Sequence, residues 1–384
     1  MKTSRDRILT THVGSLPRSM AVTELVFARE EGRLADRAQH DLVVAAAVRD
    51  VVARQKAHGI DIISDGEQSK ISYATYIKDR LNGFEGDSDR RTPHDLDDFP
   101  AYMNRAASSG GTPSYKRPKC VAKITPKDDR PLLDDLRNMK AACEASGPVD
   151  AFMTAASPGV IALFQPNEHY PSHETYLEAL AEAMQPEYEA IVGAGFVLQI
   201  DSPDLGLGRH TMYKDRTEAE YMRLANLHVE VLNHALRNIP ADRIRMHVCW
   251  GNYEGPHHRD IAMEVMLPIA LRAKPQGLLF ETSNPRHAHE WTVFQDARIP
   301  EDKILIPGVL DSVTNFIEHP RLVAERICRF AAIVGRERVI AGSDCGFSTF
   351  AGFGRVDEDI VYAKFEAMAA GARIATDRLW GRAA

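Results

Sequence analysis

Eight short apolar runs, rich in β-branched residues, punctuate this chain at intervals that leave room for a helix between most of them. They are ILTTHVGSL (8–16), GIDIISDGE (59–67), AFMTAAS (151–157), FVLQIDSP (196–203), IRMHVCW (244–250), GLLFETS (277–283), ILIPGVL (304–310) and RVIAGSD (338–344). Helix-like apolar spacing fills segments such as 172–194, 215–238 and 355–375. Strand patterns alternating with helix patterns are the signature of βα units and a parallel sheet. Eight such units predict a single (β/α)8 TIM barrel over residues 1–384. A ninth run, KCVAKI (119–124), is one too many. It ends a stretch rich in Gly, Pro, Ser and Asp that lacks apolar periodicity, so 83–126 is expected to be an inserted segment after the second strand, with a strand of its own.

Charge and composition exclude several classes of function. A formal net charge of −7 offers no basic footprint for nucleic acid and no polybasic surface for an anionic membrane. No apolar stretch approaches the roughly eighteen residues of a membrane span, and the first residues lack the apolar core of a signal peptide. A cytoplasmic location is the expectation. Cys120, Cys143, Cys249, Cys328 and Cys345 are scattered and odd in number. In such a chain, buried, catalytic or metal-binding roles are commoner than disulfides.

Barrel active sites form at the C-terminal ends of the strands. The polar residues that end the apolar runs here are Ser15, Glu67, Ser157, Asp201, His247 with Cys249, Glu281, Asp311 and Cys345. His247 and Cys249 stand two apart on one strand, so their side chains leave the same face. Zinc takes thiolate sulfur, imidazole nitrogen and carboxylate oxygen, usually four in all. Glu281 and Cys345, from the sixth and eighth strands, complete such a set. The competing reading is a core histidine near a free cysteine, itself a common core residue. His287 and His289, and His257 with His258 and Asp260, follow strand ends without thiolates that would select zinc. They suit hydrogen-bond donors or proton carriers near a substrate. GFGR (352–355) is too short for a nucleotide fingerprint, and there is no phosphate loop, nucleophile elbow or HExxH helix.

TTHVGSLPR (10–18), SDGE (64–67), QIDSPDL (199–205), HVCWGNYEGPH (247–257), FETSNPRHAHEW (280–291), PGVLDS (307–312) and SDCG (343–346) carry a further signal. In that order they resemble the C-terminal catalytic barrel of the cobalamin-independent methionine synthase family, over nearly the whole chain. Some pieces look closest to single-barrel members, which include the epoxyalkane:coenzyme M transferases. The resemblance implies Zn2+ held by His247, Cys249, Glu281 and Cys345. It implies that Ser15, Glu67 and Asp201 hold the amino-acid part of a homocysteine-like thiol, with Ser157 on the same rim a further substrate-binding candidate. Asp201, His257, His287 and His289 are the catalytic candidates.

The implied activity is zinc-dependent alkyl transfer, foremost methyl transfer to homocysteine or a related thiol. The partners are then a small-molecule thiol acceptor and an alkyl or methyl donor, and a homo-oligomer is compatible with the sequence. Opening of an epoxide by coenzyme M is the alternative. A zinc hydrolase is less favoured, because two thiolate ligands make the metal a poorer Lewis acid, and a non-catalytic zinc protein is the blandest option. Two departures stand out. The family's DEPAL is DSPDL here, with Ser202 in place of an acidic residue, and the histidine of its DIHSP stretch falls on Val313. The proton donor for the leaving group is therefore open.

Overall fold

The computed structural model describes residues 1–108 and 115–381; residues 109–114 of the expected insertion and 382–384 lie outside the described residues. Nine strands are present among them: β1 (Ile62–Ile63), β2 (Leu81–Glu85), β3 (Lys119–Pro126), β4 (Asp150–Ala156), β5 (Val197–Asp201), β6 (Ile244–His247), β7 (Gly277–Phe280), β8 (Ile304–Leu310) and β9 (Gly342–Ser343). Seven form one sheet in the order β1-β4-β5-β6-β7-β8-β9. All neighbours in it are parallel. The sheet curls until its edges meet the same N-terminal segment, since Thr10 bridges to Ala341 and Thr11 to Ile62, both in parallel. The architecture is TIM-barrel-like.

The expected first strand is thus reduced to two bridges, and local side chains are the reason. The amides of Ile8, Leu9, Thr10 and Val13 donate to Thr376 Oγ1, Ser4 Oγ, Asp61 Oδ2 and Ser343 Oγ at 3.0–3.2 Å. Backbone donors satisfied by side chains have none left for a ladder. The eighth run also shrinks, to two residues, where the β8–β9 register shifts between Gly308 and Leu310. There Asp344 packs so closely that a Cβ on Gly308 would fall 2.1 Å from its Oδ1.

Strand alternation sorts the side chains into two layers. One core joins the outer face of the sheet to the surrounding helices, with Leu198, Ile200, Met246 and Leu305 among its members. A smaller one, including Leu9, Val13, Phe152, Val197, Leu279 and Ile306, fills the barrel. Arg245 is fully buried beside it, its guanidinium 3.4 Å from the centre of the Phe152 ring. That charge is tolerated because Gln199 Oε1, Thr11 Oγ1 and the His12 carbonyl accept its protons at 2.7–2.8 Å.

Between β1 and β4 the chain leaves the sheet. β2 and β3 pair antiparallel as a separate ribbon, and between them lie helices His94–Asp97 and Pro100–Ser108.

Candidate functional site

His247 is the last residue of β6, Cys249 lies two further on, and Cys345 is in the turn after β9. Their ligand atoms lie within 4.8 Å of one another, all buried. Among the described residues this is the one such grouping of three or more metal-binding side chains. His247 Nδ1 faces Asp201 Oδ1 at 3.6 Å, and its Nε2 lies 3.2 Å from the Asp344 carbonyl.

The protons are distributed unevenly. Burial disfavours the His247 imidazolium, but Cys249 and Asp201 outweigh it and raise its pKa to about 9. The hydrogen bond with Cys345, joined by the charge of His247, holds Cys249 below the usual thiol range against its burial. The same bond, together with burial, pushes Cys345 well up. Cys345 therefore donates and Cys249 accepts. A buried imidazole and two thiols of this kind fit zinc, which selects sulfur and nitrogen donors.

Glu281, immediately after β7, is buried beside this cluster but is not one of the three that converge. Its Oε1 accepts from the Trp250 amide at 3.0 Å and its Oε2 from Asn284 Nδ2 at 2.7 Å. Asn284 also bonds Asp344 at 3.2 Å, tying the β7 and β9 ends together.

The cluster opens into a cavity of about 350 Å³ that Ser15, Glu67, Asp201, His247, Cys249 and Cys345 all line. Tyr73, Phe164, Phe350 and Phe353 form aromatic walls, and Leu96, Tyr102 and Met103 cover it from the segment between β2 and β3. Arg91, Arg117 and Arg355 add positive charge to the same lining.

Glu67 has a φ of +56°, unusual for a residue with a side chain. Its amide donates to Asp65 Oδ1 at 3.0 Å, which holds the turn. Thr154 Oγ1 donates to Oε1 at 2.9 Å, while the buried Oε2 has no partner. Burial pushes the Glu67 pKa up to about 7, Lys70 opposing and Asp201 assisting. Gly14 lets this carboxylate approach, since a Cβ there would lie 2.7 Å from Thr154 Cγ2. Asp201 is oriented by Gln199 Nε2 at 2.9 Å, so the polar plug within the barrel sets its rotamer.

The other candidates lie elsewhere. Ser157 caps helix Pro158–Phe164, accepting from the Val160 amide at 3.0 Å and donating to Asp204 Oδ1 at 2.9 Å. It does not line the cavity. His287 stacks on Trp250 at 4.2 Å between ring centres and is clamped by Asp260 (2.9 Å) and Glu290 (2.7 Å). Burial opposes its charge, but those two carboxylates raise its pKa to about 10. His257 has both nitrogens engaged, by Asp260 at 2.9 Å and the Tyr253 carbonyl at 3.0 Å. It lines a neighbouring cavity of about 360 Å³ together with Val313. His289 is exposed.

The structure adds residues that the sequence did not single out. Asp95 is fully buried and accepts from Tyr253 Oη and the His257 amide, each at 2.8 Å, pinning the cover to the loop after β6. Asn252 donates to the Gly346 carbonyl at 2.6 Å and accepts from Ser312 Oγ at 2.9 Å, forming a partition between the two cavities. Tyr73 sits in a turn before the short helix Thr75–Asp79. No periodic pattern marks any of these positions.

Fold and site together define a TIM-barrel-like protein with a buried His/Cys/Cys cluster at the strand ends. A family model described as the cobalamin-independent synthase catalytic domain matches residues 8–92. The methionine synthase of Saccharolobus solfataricus is 25% identical over 376 residues, covering 96% of this chain and 95% of that protein. Among solved structures, a B12-independent methionine synthase from Shewanella sp. W3-18-1, in complex with selenomethionine, superimposes with a TM-score of 0.74 at 17% identity, covering 98% and 99% of the two chains. A putative vitamin-B12 independent methionine synthase from Listeria monocytogenes gives a TM-score of 0.65 at 19% identity, covering 96% and 98%. The chain is thus similar to the cobalamin-independent methionine synthases, by the family model over its first quarter and by the curated relatives over nearly its whole length.

Proposed function

We propose that this protein is a zinc-dependent S-methyltransferase whose acceptor is homocysteine or a closely related amino-acid thiol. The observation that carries this reading is the meeting, in one cavity, of an imidazole and two thiols with the Glu67 and Asp201 carboxylates. His247, Cys249 and Cys345 hold the metal, and Glu281 on the same rim completes the set. Zinc, when bound, lowers the pKa of a substrate thiol and keeps it nucleophilic at neutral pH.

The chain's own residues do the rest. Glu67 and Asp201 pair with the acceptor's ammonium, a charge-assisted contact that the partnerless Glu67 Oε2 is free to make. Ser15 serves the acceptor's carboxylate. Leu96, Tyr102 and Met103 exclude water above the reacting sulfur. The methionine synthase names of the relatives favour methyl transfer over epoxide opening. The two carboxylates also favour an amino-acid thiol over coenzyme M, which has no ammonium group.

The test is metal analysis coupled to mass spectrometry of homocysteine incubated with methyl donors. About one zinc per chain is expected, with most of it lost in Cys249→Ser and in Cys345→Ser, and methionine should accumulate with the unaltered protein only. Full zinc in both variants, or no methylation of homocysteine with any donor, overturns the reading.

A further inference from the structure

We propose that Tyr73 gives a proton to the leaving atom of the methyl donor. This rests on the methyl-transfer reading above and adds a catalytic residue to it.

Tyr73 lines the cavity together with Cys249, Cys345, Glu67 and Asp201, so it borders the space in which the acceptor sulfur and the methyl group meet. Its ring is held edge-on to Phe164 at 5.7 Å and tilted against Phe350 at 5.9 Å. Among the described residues its hydroxyl has no hydrogen-bond partner. The two other tyrosines in this lining are spent, Tyr102 on the Glu254 carbonyl and Tyr253 on Asp95. The candidate histidines and the two inner carboxylates are placed otherwise. His257, His287, His289 and Val313 do not line this cavity, His247 belongs to the metal set, and Glu67 and Asp201 are assigned to the ammonium. A phenol left unpartnered beside the reacting centre is a competent general acid.

The step balances. The acceptor sulfur attacks the methyl carbon, a sulfur–carbon bond forms, and the bond from that carbon to the donor's amine nitrogen breaks. The nitrogen keeps the electron pair and takes the Tyr73 proton. The proton that the thiol released on activation is returned to the phenolate through solvent. Overall a thiol and an N-methylamine become a thioether and an amine.

The experiment uses zinc-loaded Tyr73→Phe, which keeps the ring contacts, with homocysteine as acceptor. With methyltetrahydrofolate, whose leaving nitrogen needs a proton, turnover should fall by about a hundredfold or more. With S-methylmethionine, whose neutral thioether leaves without one, it should stay within about threefold. Zinc content, melting temperature and the spectral response of the cobalt form to homocysteine should not change. With methyltetrahydrofolate alone, the variant's rate should climb about tenfold for each unit that pH falls, because hydronium must replace the phenol, whereas the unaltered protein's should not. Equal losses with both donors, no loss, or parallel pH profiles overturn the assignment and leave methyl transfer standing. Use of the sulfonium but not the folate by the unaltered protein overturns it too. Failure of the unaltered protein with every donor removes both.

Discussion

Glu67 shows how one residue couples the site to the fold. Its carboxyl is buried and half-satisfied, so the neutral form is favoured and its pKa rises from 4.5 to about 7. A carboxyl whose pKa rises on folding holds its proton longer in the native state than in the unfolded chain. Stability is then lost as pH climbs from about 4.5 through about 7, by about 3 kcal/mol in all. Denaturant titrations of the metal-free protein from pH 5 to 8 should show this decline, and Glu67→Gln should flatten it. Two parallel curves would show that the carboxyl ionises as easily inside as outside. The same variant, like Asp201→Asn, should bind zinc normally but raise the KM for homocysteine at least tenfold, because on the proposed reading each removes a carboxylate that pairs with its ammonium. Normal kinetics in both would point to an acceptor without an ammonium. His247, Cys249 and Cys345 were legible because period-two spacing and strand ends are properties of sequence. The partnerless Glu67 oxygen was not, since burial belongs to the fold. The Ser157 cap left a trace, a serine before proline at a helix start, but the same serine also reads as a rim residue.

At the scale of elements, the cover over the cavity hangs on few contacts. Asp95, in helix His94–Asp97, reaches across to the Tyr253 hydroxyl and the His257 amide. His257 itself sits at a φ of +52°, held there by that amide bond and by Asp260. Asp95→Ala would remove the acceptor of the His257 amide and leave the half-buried Tyr253 hydroxyl only a longer contact of 3.4 Å to His210, a cost of about 1–3 kcal/mol in all. Hydrogen exchange should quicken across residues 91–103 and 251–257, and the KM for homocysteine should rise while zinc stays bound. Unchanged exchange in both segments would mean that the cover is held by packing alone. Sequence periodicity was silent here because it reports burial against a regular partner, and this cover packs on a loop. The histidines of PRHAHEW and GPHHRD show the same limit. Their spacing invites a site, but Asp260 gathers His257 and His287 into a buried network whose bonds leave neither facing the main cavity.

At the scale of the whole molecule, the barrel was legible because eight apolar runs separated by helical spacing allow few other topologies. Its closure was not. The N-terminal run is as apolar as the others, but closure depends on which donors the neighbouring side chains take. The seam between β1 and β9 therefore consists of bridges at Thr10 and Thr11 in place of a ladder. Asp61 is its main clasp, accepting from Arg7 through two bonds of 2.7 Å and from the Thr10 amide at 3.0 Å. A seam held by side chains should open before the ladders of β4, β5 and β6 do. Native-state hydrogen exchange should find the amides of residues 9–13 and 62–63 less protected than those of 197–201. Asp61→Ala should widen that gap and lower global stability by about 1–3 kcal/mol, the cost of one buried amide and a broken ion pair. Ser15 follows this segment and Glu67 follows β1, so a loosened seam should also weaken homocysteine binding without releasing zinc, whose proposed ligands follow the ends of β6, β7 and β9. Equal protection on both sides of the barrel, or zinc loss in Asp61→Ala, would show that the seam is no weaker than the rest.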